Sequence, residues 1–271
     1  MKRAQYISGQ EGFSLMEMMI ATVIFLLLCG AAFALLSVAQ QRYQTESQVL
    51  NSFQEARFGL EEIVRDVNGA GYPPENQFTP SANPAANLYA STPIAWDPNY
   101  VSNSPCQIGT AGGGTCNPTP GDFDIIIERD VDPWRHDGVE WTRYQLQGTV
   151  LSRSQTYKVV NQEPDPTTAP SFVPYVQNVM NNASAAQIAQ FRTIYSQMFP
   201  GGNPVPVFQY LCGTPTGPQS CPTAASVYNS PVNVTDVEVT LIVMAPTLDA
   251  STGLPRLIEL HGRGHTLNPI Q

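Results

Sequence analysis

The chain has 271 residues, 13% of them charged, and a formal net charge of −9 from 22 acidic and 13 basic side chains. Nucleic-acid binding usually shows as a basic stripe; none is visible, so a nucleic-acid partner is not expected. An apolar fraction of 42% beside 24 Pro and 20 Gly predicts one globular domain with a substantial core and long ordered loops rather than disorder.

In chain order, a short basic leader with Lys2 and Arg3 reaches a small-residue break at Gly12, followed by Phe13-Ser14-Leu15-Met16-Glu17. Met18 to Ala39 then carries no charge. At a rise of about 1.5 Å per residue this run spans roughly 33 Å, enough to cross a bilayer. An ordinary secretory signal has its cleavage site after the apolar core; here the break precedes it. An uncleaved signal anchor leaves Glu17 unexplained, because a carboxylate entering hydrocarbon costs about 2.5–3.5 kcal/mol. After Arg3 the next basic residue is Arg42, so the positive-inside rule places the leader in the cytoplasm and the chain beyond Gln41 in the periplasm. Cys29, within the run, reads as an apolar side chain.

The helix is expected to continue. Val49, Phe53, Ala56, Leu60, Ile63, Val64 and Val67 recur at steps of three and four, with Arg57, Glu61, Glu62 and Arg65 on the other face. Proline is absent from Phe13 to Asn68, and Gly69-Ala70-Gly71-Tyr72-Pro73-Pro74 is a stop signal. One helix from about Ser14 to Asn68 would be roughly 80 Å long. Residues 73–120 read as a long loop region. Strands are predicted at Asp122–Glu128, Val139–Leu146, Val150–Ser154, Tyr157–Val160, Val205–Leu211, Val234–Ala245 and Arg256–His261, and a second helix over Ala183–Phe199.

Cys106, Cys116, Cys212 and Cys221 fall in Gly, Pro, Ser and Thr-rich loops. In an oxidising compartment they read as disulfides; three pairings are open, and the local one, Cys106–Cys116 with Cys212–Cys221, is favoured. A zinc site is the competing reading, but neither pair has the tight spacing of such sites. Asp130, Asp132, Asp137 and Glu140 bracket Trp134, Arg135 and His136. Oxygen ligands suit calcium, yet the spacing is not that of an EF-hand, and Pro133 and Gly138 mark a hairpin turn, where aspartate is common. His261 and His265 read as a solvated tail. There is no Gly-x-Ser-x-Gly, Walker loop or His-Glu-x-x-His, so neither an enzyme nor a cofactor is expected.

The stretch Gly12-Phe13-Ser14-Leu15-Met16-Glu17 with its apolar run resembles the type IV pilin superfamily: pilins, type II secretion pseudopilins and competence pseudopilins. The resemblance implies an α+β fold, a long N-terminal helix packed on an antiparallel sheet. It implies a leader over 1–12, a membrane or filament-core helix over 13–41, its amphipathic continuation over 42–72, and a β-rich periplasmic or extracellular domain over 73–271. It further implies that a prepilin peptidase cuts between Gly12 and Phe13 and methylates the Phe13 amine. Glu17 would then meet the Phe13 amine of a neighbouring subunit in a filament.

Two later segments resemble PilW-type minor pilins and pseudopilin J. One is Arg57 to Asp66 followed by Gly69-Ala70-Gly71-Tyr72. The other is Tyr144-Gln145-Leu146, Gly148 and Leu151-Ser152-Arg153, and the Val237–Leu241 strand fits as well. Residues 161–230 match no family pattern. The function implied is a minor pilin at or near a filament tip, assisting assembly and presenting a surface for adhesion. Pseudopilin J of a type II secretion system is the near alternative, and a ligand-binding pilin, an adhesin or DNA-uptake receptor, is the alternative of another class. The expected partners are other pilins or pseudopilins, the prepilin peptidase and the inner membrane. The expected location is the inner membrane before assembly and the cell surface after it.

Overall fold

The computed structural model describes residues 12, 14–74, 88–90, 93–95, 121–135, 138–158, 171–221, 223, 228, 233–249 and 252–266. Helix α1 runs Leu15–Asn68 without a break. By internal contacts the chain divides into two compact units, Met1–Gln48 and Val49–Gln271.

In the first unit α1 is apolar and solvent-facing, with Met18, Ile20, Phe25, Leu28, Phe33 and Leu36 all exposed. This is a helix long and apolar enough to cross a membrane. Its one hydroxyl within the first turns is satisfied locally, Thr22 Oγ1 donating to the Met19 carbonyl at 2.8 Å.

In the second unit α1 is amphipathic. Val49, Ala56, Gly59, Leu60, Ile63, Asp66 and Val67 are buried. Arg57 pairs with Glu61 at 3.0 Å on the exposed face, whereas Arg65 turns to Glu62 at 3.1 Å rather than to Glu61. The stop signal works as expected. Gly71 takes φ +80°, and its N–H donates to the Glu128 carbonyl at 2.9 Å, turning the chain onto the sheet.

The β-structure forms two sheets where one was expected. β1 (Ile94–Ala95), β2 (Asp124–Arg129), β3 (Glu140–Gln147), β4 (Val150–Tyr157) and β5 (Val173–Val176) form a five-stranded sheet in that order. β6 (Phe208–Thr214), β7 (Gly217–Ser220), β8 (Val234–Leu248) and β9 (Pro255–His265) form a four-stranded sheet ordered β7-β6-β8-β9. All pairings are antiparallel. Among the described residues, an isolated bridge pairs Val179, just past β5, with Val243 of β8.

The main core gathers Ala56, Leu60, Ile63 and Val67 of α1 with Ile125, Ile127, Tyr144 and Leu151 of the first sheet and Val237, Val239 and Leu241 of the second. Glycines let α1 approach both sheets. A Cβ on Gly59 would lie 2.4 Å from Val176 Cγ2, and one on Gly264 would lie 2.6 Å from Val67 Cβ.

Several expected elements shift. The strand predicted at 150–154 runs on to Tyr157, because β4 stays paired with β3 through Thr142↔Gln155 to Glu140↔Tyr157; of the strand predicted at 157–160, residues 159–160 lie outside the described residues. The second helix, α2, covers only Ala185–Phe191; Ser184 and Gln187 form a capping box at its start, and tight turns replace it after Arg192. It packs Ile188 and Phe191 with Met180, Phe199, Ile242 and Leu257 in a second core. The C-terminal histidines are not a tail: β9 pairs with β8 to Asp236↔His265. Residues 73–120 include β1. β5 and β7 carry Pro174 and Pro218, which suits edge strands and hides them from a strand pattern.

Candidate functional site

The functional region indicated by sequence is the start of α1. Ser14 precedes the helix and Glu17 lies in its first turn. The Ser14 N–H donates to Glu17 Oε2 at 3.0 Å, and the Met16 N–H donates to Ser14 Oγ at 3.3 Å. Ser14 and Glu17 thus cap the start of the helix, each accepting one amide N–H there. Ser-x-x-Glu before an apolar run is legible in sequence, yet the expectation for Glu17 concerned only a partner subunit. Within one subunit the carboxylate already holds the first turn. Gly12 is exposed and non-helical, with open space where a Cβ would be; Phe13 lies outside the described residues.

A second constellation joins α1 to the first sheet. Asp66 is fully buried. It accepts the Tyr144 hydroxyl at 2.6 Å and forms an ion pair with Arg129. Arg153 completes the group, its guanidinium 3.6 Å from Asp66 and its Nε donating to the Tyr144 oxygen at 3.1 Å. Burial, then the neighbouring Asp66 charge, pushes the Tyr144 hydroxyl far above its ordinary pKa, so it remains a donor. Asp66 comes from the late-helix segment; Tyr144 and Arg153 come from the Tyr-x-Leu and Leu-x-Arg segments. The fold brings all three together. Their spacing in sequence carries no sign of this, because a turn and two strands separate them. Arg129 had no sequence signal at all.

On the opposite face of the same sheet, Glu128 accepts the Trp141 indole N–H at 2.9 Å and Lys158 at 2.6 Å. Such buried charges are tolerated because each is paired and hydrogen-bonded.

The other sequence candidates resolve structurally. Cys212 and Cys221 are disulfide-bonded, their Cα atoms 5.4 Å apart, closing the β6–β7 hairpin; Cys106 and Cys116 lie outside the described residues. Cys29 is a free thiol. The acidic residues around Trp134 serve the turn: Asp130 Oδ1 accepts the Asp132 N–H at 3.0 Å and Glu140 Oε2 accepts the Val131 N–H at 2.8 Å. Asp137 lies outside the described residues. Among the described residues no three His, Cys, Asp or Glu side chains are placed to hold a metal ion. His265 contacts Asp236 at 3.1 Å and His261 contacts Thr240 Oγ1 at 3.2 Å, both on β9.

The family described as the prokaryotic N-terminal methylation motif matches residues 7–33, covering the Gly12–Glu17 stretch and the apolar run as far as Phe33. No curated protein and no solved structure matches the chain. This motif at the head of a long helix followed by antiparallel sheets is a pilin-like arrangement, and it supports a type IV pilin- or pseudopilin-like protein. The motif implies processing by a prepilin peptidase and assembly with other pilins, and the apolar helix suits membrane anchoring.

Proposed function

We propose that the chain is a PilW-like minor pilin, cut between Gly12 and Phe13, methylated on Phe13, and placed at or near the tip of a filament whose assembly it assists. The observation that carries this reading is the register of the N-terminal motif: exposed Gly12, the Ser14–Glu17 cap and the uncharged run follow without a gap. Glu17 would move from the Ser14 amide to the Phe13 amine of a neighbour, or hold both, once water is excluded. The exposed face of α1 in the second unit offers a packing surface, with Phe58 69% exposed one helical turn beyond Gln54. The Asp66–Tyr144–Arg153 group supports the PilW-like branch, since it is made by residues of the segments that carry that likeness. Pseudopilin J shares those segments and is the second reading.

The test is N-terminal mass spectrometry of the protein made with an active prepilin peptidase. The expected product begins at an N-methylated Phe13; an intact Met1 leader sinks the assignment. Co-purification with pilus subunits, rather than with other pseudopilins, separates the two branches.

A further inference from the structure

We draw no further inference here: the strongest candidate, the groove between α1 and β5 lined by Asn51, Gln54, Glu55, Phe58, Gly59 and Tyr175, carries the exposed Phe58 ring, yet nothing in the structure shows what covers it, and a neighbouring subunit there restates the packing surface already proposed.

Discussion

Glu17 has one role seen within the subunit and one proposed, and substitution can separate them. In one subunit it caps α1 through the Ser14 amide; in the proposed filament it neutralises an amine. Glutamine can accept the same capping hydrogen bond but carries no charge. Glu17→Gln should therefore leave the start of α1 intact, as read by amide exchange at Ser14, and still reduce incorporation into filaments. Glu17→Ala should lose both, with a cap cost of about 0.5–2 kcal/mol. Wild-type recovery of Glu17→Gln in purified filaments would show that charge pairing is not what recruits the subunit. Asp66 is the opposite case, a carboxylate whose role is folding. Its removal leaves Arg129 buried and the Tyr144 hydroxyl without its acceptor. Asp66→Ala should destabilise by about 3–5 kcal/mol, and Tyr144→Phe by about 1–2 kcal/mol, measured by urea unfolding with Phe13 processing as an unaffected control.

Each element of the head owes its place to a neighbour more than to its own propensity. β9 shows this best. Gly262 and Gly264 weaken it as a strand, yet they make room for Val64 and Val67 of α1, and β8 supplies the whole hydrogen-bonding edge. Asp236 on β8 ties the end of the pair. Burial pushes its carboxyl up, but hydrogen bonds from Arg263, Thr235 and His265 outweigh this and hold it below the usual range. A depressed folded pKa contributes stability that is present above the unfolded value, about 3.9, and is lost as pH falls through the folded one. Asp236→Asn should therefore cost about 1–3 kcal/mol at pH 7. The gap between the two proteins should narrow as pH falls below the unfolded value of about 3.9 and close once pH is below the folded one. A pH-independent gap would mean that packing, not charge, is what Asp236 provides. Beside the seven-residue α2 lies the fully buried side chain of Asn181. Asn181 donates to the Val205 and Thr240 carbonyls and accepts the Ile242 N–H, latching that segment to the second sheet.

At the scale of the molecule, the division at Gln48–Val49 falls within α1. Cutting a helix costs only the frayed turn at the new end, and the second unit contains all three core clusters, the third being Ile126 with Trp141. A fragment beginning at Ser47 should be soluble without detergent and unfold in one transition. Peptide mapping of it should find Cys212–Cys221 and, as proposed, Cys106–Cys116. Aggregation of the fragment would show that the head needs the apolar half of α1. The sequence alone determined the long helix, its change from apolar all round to amphipathic, its end at Gly69–Pro74, and the N-terminal motif. All of these are local: periodicity, capping residues and breakers act within a few positions of one another. Val234–Ala245 was legible for the same reason, as a run rich in β-branched residues without Gly or Pro. The tertiary structure decided what depends on distant partners. The β-residues form two sheets because α1 has an apolar stripe broad enough to bury an edge of each. β5 and β7 are strands because β4 and β6 pair with them, despite their prolines. Asp66, Arg129, Tyr144 and Arg153 form one buried group because a helix end, a turn and three strands converge there. A charge can be buried only where its partners already wait, and that condition belongs to the folded chain as a whole.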